Sequence, residues 1–350
     1  MAKVNSCKEG GREIKMEGEL LLTLSSSPHI RDNISINKIM YNVVLALMPA
    51  VIMGILYFGA YFIRLMIFSI LSAVISEAAI QYILKKKISI GDGSAILTGI
   101  LLGLTIPPQS PWWIPTIGSS LAIILGKQIY GGLGHNCFNP ALVGRTILMI
   151  SWPVQMTTWM KPSPFNFKLV DAISTATPLS ILKNEGALAL NNLNQIDSLK
   201  SFWMAIGEIG KCSGQIPVIP LLLGGFYLLL KGYITWHIPL SYIGSMTLFT
   251  GIFWLLNPAK YANPLFHLST GGLMIGSLFM ATDYVTSPMK PEGMLIFGLG
   301  CGILTGVIRL LGGYPEGVSF AILIMNSFTP LIDKYTEKRK KMDKVKCVRQ

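Results

Sequence analysis

Charge is scarce in this 350-residue chain. Asp, Glu, Lys and Arg together supply 13% of the residues, about half of the roughly 25% found in soluble domains. A sequence this poor in charge and 51% hydrophobic does not fit the ordinary soluble classes, so its apolar runs need a bilayer. Cysteine and histidine are just as thinly spread. Cys7, Cys137, Cys212, Cys301 and Cys347 form no CxxC pair, and His29, His135, His237 and His267 are dispersed. That leaves no self-contained zinc or iron–sulfur site. The cysteines read as small hydrophobes or free thiols, with a cluster shared with another protein left open. No G-x-G-x-x-G unit follows a strand, so a nicotinamide site belongs elsewhere. Residues 1–38 are polar and carry both signs of charge, unlike a signal peptide, and the first hydrophobic run is expected to remain as an anchor.

The charge that is present is lopsided, at +12 overall, and residues 333–350 hold eight Lys or Arg against three acids. A basic tail beside an apolar segment fits a cytoplasmic anchor near anionic lipid, not a nucleic-acid groove. Glycine and proline are plentiful, at 35 and 20 residues. Membrane helices tolerate both where protein or water re-satisfies the backbone, so broken helices are expected.

Ten apolar runs follow, near 40–58, 60–84, 94–106, 114–126 and 140–152, then 218–230, 238–256, 271–281, 294–311 and 318–332. Several fall short of the roughly 20 residues needed to span, which implies half or re-entrant helices. Asn139-Pro140 reads as an N-cap followed by proline in the first turn. Short connections on one side carry Lys85-Lys86-Lys87, Lys127, Lys231 and Lys290, and those on the other only Arg64 and Lys260. The first side is therefore expected to be cytoplasmic, with both termini there. The single long connection, 153–217, then lies outside; its stretch 198–210 mixes apolar and charged residues in a manner suited to the membrane surface.

The two groups of five echo one another. GSAILTGILLGLTIPP in the third run matches GGLMIGSLFMATDYVTSP in the eighth, and GGLGHNCFNPAL before the fifth matches GGYPEGVSFAIL before the tenth. Five runs per half make the repeats inverted, and interrupted segments at matching places point to a central binding or conduction site. Close packing by small residues is the structural alternative. The expected fold class is thus an all-α polytopic membrane protein with about ten transmembrane segments in two inverted five-helix repeats with broken or half helices. Its parts are a cytoplasmic segment 1–38, a first repeat 39–152, an extracytoplasmic loop 153–217, a second repeat 218–332 and a basic cytoplasmic tail 333–350.

The long loop contains Asp171-Ala172-Ile173-Ser174-Thr175-Ala176-Thr177-Pro178-Leu179. On physical grounds this is a small-residue stretch whose hydroxyls are open to modification, although such stretches are commonly turns or caps. Taken with the ten runs, LSSSPHIRD (24–32), GGLGHNCFNPALVGR (131–145), MATDYVTSP (280–288) and the stretch from GYPEGVSF to NSFTPLID (313–333), the D-x-x-[ST]-x-A-T pattern resembles the RnfD family, the D-type membrane proteins of Rnf ion-translocating electron-transfer complexes. NqrB of the sodium-pumping NADH:quinone reductase is a relative within that family. The resemblance implies that an extracytoplasmic FMN transferase esterifies FMN to Thr177, with Asp171, Ser174, Thr175 and Ala176 as the surrounding motif. Thr175 stands where the family's common pattern has glycine, and is the alternative acceptor.

The resemblance further implies a second, non-covalent flavin, riboflavin, among the spans, with Asn136, Asn139 and Asp283 as candidate lining. Asn139 serving only as a helix cap is the plain alternative. It implies a membrane complex that couples ferredoxin:NAD electron transfer to Na+ or H+ transport, with the A, B, C, E and G proteins of the Rnf complex as partners. This chain would relay electrons without binding NAD. Among ionisable residues at membrane depth, Glu77 is a candidate for an ion path and Arg145 for a flavin phosphate, a carboxylate or a neighbour; Arg309 completes the set. A structural Glu–Arg pair competes with each reading. No metal site and no nucleic acid is expected. Two rival functions are a urea- or ammonium-type permease without flavin, and a scaffold whose loop is never modified.

Overall fold

A computed structural model describes residues 12–15, 21–24, 35–86, 89–160, 174–175, 179, 182–183, 218–258, 260–314 and 316–348. The described residues are overwhelmingly helical. Helices α1 (Ile36–Phe58) and α2 (Ala60–Ile83) are followed by the short α3 (Ser94–Gly103). Helix α4 (Trp113–Ile123) runs on as a π-helical segment, Ile124–Gln128. Then come α5 (Pro140–Ser151) and α6 (Pro153–Thr157). The second half holds α7 (Val218–Leu230), α8 (His237–Leu256), α9 (Pro264–Ser269) and α10 (Leu273–Ile275), which continues as a π segment, Gly276–Met280. It closes with α11 (Pro291–Leu310) and α12 (Val318–Val348). Two small antiparallel pairs add to this: β1 (Arg12–Lys15) with β2 (Leu21–Leu24), and β3 (Trp159–Met160) with β4 (Ser174–Thr175).

Of these helices, α1, α2, α8 and α11 are long and apolar enough to cross a membrane, whereas α3, α5 and α7 are apolar but short. Local chemistry sets the starts. Ser35 accepts from the Lys38 amide at 3.3 Å to open α1. Asn139 accepts from the Ala141 and Leu142 amides at 3.1 and 3.4 Å to open α5, with Pro140 in its first turn. Asn263 and Pro264 repeat that arrangement at α9, a helix absent from the expected runs because six residues carry no visible period. The tail expected to begin at 333 is a continuation of α12 through Val348.

Packing follows the two halves. Helix α2 packs on α4 as α8 packs on α11, α4 on α5 as α11 on α12, and the equivalent helices α1 with α7 and α5 with α12 touch each other. These pairings follow the same pattern in the first and second groups of helices. Small residues allow the close approaches. Ser69 on α2 donates to the Gly99 carbonyl at 2.7 Å and shares a hydrogen bond with Ser119 at 2.8 Å. Gly298 and Gly302 of α11 sit directly against Ser241 and Ser245 of α8, since helices in lipid associate by packing of small surfaces. Large apolar side chains such as Leu223, Phe226, Leu248 and Leu255 point outward, which suits lipid or a neighbouring protein.

Two charges expected in connections lie elsewhere. Arg64 is inside α2 and donates to the Ser110 carbonyl at 3.1 Å. Lys127 is in the π segment and is 2% exposed. The apolar run before it ends at Gly126, which made it look like a loop charge.

A Cβ added at Gly302 would lie 2.6 Å from the Tyr242 carbonyl, whereas one at Gly244 on α8 meets nothing within 4 Å. Gly302→Ala is expected to destabilise the detergent-solubilised protein by about 1–3 kcal/mol through overpacking. Gly244→Ala should leave the thermal unfolding midpoint unchanged or slightly raised, and equal midpoints for the two variants would contradict this packing.

Candidate functional site

Two cavities open at opposite ends of the same three short helices. The first is bordered by the Ser94 end of α3, the Pro140 end of α5 and Leu228 near the end of α7; the second by Leu104 just past α3, Arg145 on α5 and Val218 at the start of α7. The first encloses about 770 Å³ of space between atoms, its open mouth included, and the second about 420 Å³. Along α3 the walls change over from Leu101 to Leu104, and along the π-continued α10 from Leu278 to Ile275. At a rise of 1.5 Å per residue, the septum is about one helical turn, roughly 5 Å, thick.

The first cavity has apolar and aromatic walls, including Leu97, Phe279, Tyr233 and Tyr284, with a few polar groups among them. Asn136, Asn139 and Asp283 all line it, so the structure brings together three residues that are far apart in sequence. Their states differ. Asn139 is engaged through both amide atoms: its oxygen caps α5 and its Nδ2 donates to the Met280 carbonyl at 3.2 Å, where the second π segment ends. Asn136 donates to the Phe138 carbonyl at 3.1 Å, while its buried Oδ1 has no partner among the described residues. Asp283 accepts from the Val285 amide at 3.5 Å and the Thr286 hydroxyl at 3.4 Å, an Asx turn that ends the broken helix.

Behind this cavity lies a polar cluster centred on Glu77, which is 0% exposed. One carboxylate oxygen accepts from Lys127 Nζ at 2.5 Å, Gln128 Nε2 at 3.0 Å and Gln81 Nε2 at 3.1 Å. Lys127 also donates to Ser94 Oγ at 2.5 Å and lines the cavity. The π segment explains this concentration, because its wider turn lets adjacent Lys127 and Gln128 both reach Glu77. Glu77 thus pairs with a lysine, and Lys127 is a functional candidate whose place at the end of an apolar run made it resemble a loop residue.

At the second cavity Arg145 pairs with Glu316, both buried. Arg145 is 6% exposed and its Nε has no partner among the described residues. Arg309 donates to the His267 carbonyl at 2.7 Å and the Thr270 carbonyl at 3.1 Å, placing a cation on the carbonyl end of α9 where the helix dipole favours it. The expected motif reaches the same place from its flanks. Strand β4 pairs Thr175 with Trp159, a wall of the second cavity. Leu179 packs on Ala262 and Phe266 and against Gly271, another wall. Asp171, Ala176 and Thr177 themselves lie outside the described residues, and Ser174 is placed only by its pairing with Met160. Among the described residues no cluster of His, Cys, Asp or Glu is suited to a metal.

Among the described residues, four helices long and apolar enough to cross a membrane, shorter apolar helices between them and a cavity on each side of a thin septum define an all-helical polytopic membrane protein. The chain belongs to the NQR2, RnfD, RnfE family, whose model matches residues 23–341. It is 47% identical to the D-type member of the proton-translocating ferredoxin:NAD(+) oxidoreductase complex of Clostridium ljungdahlii, over 91% of this chain and 95% of that one. It is 42% identical to the D-type member of the Na(+)-translocating ferredoxin:NAD(+) oxidoreductase complex of Acetobacterium woodii, over 92% and 95%. The corresponding protein of the ion-translocating oxidoreductase complex of Stutzerimonas stutzeri is 41% identical over 87% and 92%.

Removing one partner of a buried ion pair leaves the other charge stranded, at a cost of about 3–5 kcal/mol. Arg145→Met is expected to lower stability by that order in detergent thermal unfolding, and the Arg145→Met/Glu316→Gln double variant by clearly less. A double variant as unstable as the sum of its single variants would show that the two side chains act independently.

Proposed function

We propose that this chain is the D-type membrane component of an ion-translocating ferredoxin:NAD+ oxidoreductase complex, with FMN esterified to Thr177, whose described neighbours Thr175 and Leu179 meet residues of the second cavity, and riboflavin held non-covalently in the first. The observation that carries the reading is the thin septum: two cavities approach from opposite ends of α3 and come within about one helical turn. The flavins, when bound, supply one-electron transfer, and the protein supplies position and environment.

The residues fit these groups. Apolar and aromatic walls with a few polar atoms are the usual lining of a small-molecule site, and the Asn136 Oδ1, without a partner among the described residues, is suited to accept from a ring N–H. In the second cavity, the spare donors of Arg145 suit a phosphate and Trp159 offers an aromatic face. Thr175 and Leu179, two residues to either side of Thr177, both touch walls of that cavity. Leu101, Leu104, Ile275 and Leu278 keep water out of the septum.

Sidedness is part of the proposal. Lys38 at the start of α1, Lys86 on the Gly131 carbonyl, Lys231 after α7 and the basic extension of α12 all lie at the first-cavity end. By the excess of basic residues in cytoplasmic connections, the first cavity faces the cytoplasm, together with both termini. The second cavity then faces the outside, where an FMN transferase reaches the loop. Other proteins of the Rnf complex supply the ferredoxin and NAD sites. The names of the first two relatives differ in the translocated ion, so either Na+ or H+ is compatible with this fold.

Co-expressed with its partner proteins and an FMN transferase, the wild-type chain should keep a fluorescent flavin band through denaturing electrophoresis. Thr177→Ala should abolish the band and Thr175→Ala should retain it. A band that survives Thr177→Ala, or a wild-type chain that never carries one, would overturn the assignment.

A further inference from the structure

Lys127 stands between two claimants. On one side are the Glu77 carboxylate and Ser94 Oγ, each at 2.5 Å; on the other is the first cavity, which Lys127 lines. Glu77 is bound asymmetrically: Lys127, Gln81 and Gln128 all donate to one oxygen, and the other has no hydrogen-bond partner among the described residues. The pair's surroundings hold few other charges. The short turn before α3 contributes Asp92, whose oxygen is taken by the Ser94 amide and hydroxyl at 2.9 and 2.6 Å. The broken helix contributes Asp283 across the cavity, α2 and α4 contribute the neutral Gln81 and Gln128, and Lys86 is occupied on the Gly131 carbonyl. A flexible lysine with one buried counter-charge and an adjacent cavity is therefore the local means of answering a change of charge in that cavity.

We propose that Lys127 is a shared positioning cation, which sets the electron affinity of the flavin in the first cavity and transmits a change of charge there to Glu77. The inference rests on the reading that this cavity holds a flavin. An electron delivered by the complex's own ferredoxin-to-NAD chain adds one negative charge to the cavity, and Lys127 Nζ shifts its hydrogen bonds from Glu77 toward it. Glu77, buried and no longer paired, takes one compensating cation from solution, either a proton that forms an O–H bond or a monovalent metal ion. One electron and one cation enter together, so the buried net charge is unchanged. Return of the electron reverses each step.

The test is a redox titration of the purified complex, with variants compared by difference spectra. Lys127→Met is expected to weaken the flavin's electron affinity at least tenfold, a fall of about 59 mV for one electron. Glu77→Gln, which leaves Lys127 without its competitor, is expected to shift the potential upward, and Lys127→Arg to stay within about threefold of wild type. In the wild type the potential should rise by up to about 59 mV per tenfold increase in the compensating cation, read in a pH series and a sodium series; Glu77→Gln should lose that dependence. A static pair also shifts the two single variants in opposite directions by Coulomb's law, so the cation dependence decides: a wild-type potential that responds to neither protons nor sodium, or a response retained in Glu77→Gln, overturns this inference alone. Should the single variants fail to assemble, the Lys127→Met/Glu77→Gln double variant leaves no stranded charge, and cation dependence surviving in it is equally decisive against the proposal. If denatured wild-type complex releases no non-covalent flavin, the underlying reading fails first, and this one with it.

Discussion

A break in a membrane helix exposes amide and carbonyl groups that lipid cannot satisfy, and this constraint organises the molecule. Each unsatisfied group costs several kcal/mol in hydrocarbon, so a broken helix survives only where another part of the chain meets its ends. Arg309 from α11 meets the carbonyls that close α9. Asn139 serves two breaks at once, capping the start of α5 and meeting the Met280 carbonyl from the other half. The first and second groups of helices are therefore tied together at these breaks, and the two cavities lie beside them.

The same constraint accounts for the buried charges. A lone charge at membrane depth is costly, and such residues survive when paired or engaged by backbone carbonyls. Each of the three cations buried beside the breaks is met in one of these ways: Lys127 by Glu77, Arg145 by Glu316 and Arg309 by carbonyls. Two of them also line a cavity. A pairing that stabilises the fold thus places a cationic residue beside each cavity, and the packing and the electrostatics there share the same side chains. The π segments do related work, since a widened turn directs Lys127 and Gln128 to one carboxylate.

The broad architecture was legible in the sequence because it rests on local signals. Low charge and apolar runs marked the membrane class, Asn139-Pro140 marked a helix start, and the matching Gly-rich interruptions marked two halves with broken helices. The grouping of Asn136, Asn139 and Asp283 at one cavity was also within reach, since each sits where an apolar run is interrupted. Local signals failed where an element was too short for a period, as with α9, or where a charge followed an apolar run, as with Lys127.

Sequence by itself determined that this chain is a polytopic membrane protein, that several of its apolar helices are short, and which family it resembles, because hydropathy, caps and motifs are properties of neighbouring residues. Only the tertiary structure decided that Glu77 meets Lys127 and Arg145 meets Glu316, partners 50 and 171 positions apart, and that the two cavities end within a helical turn of each other. Those facts depend on how helices from two halves pack, and a linear chain carries no distances between residues so far removed.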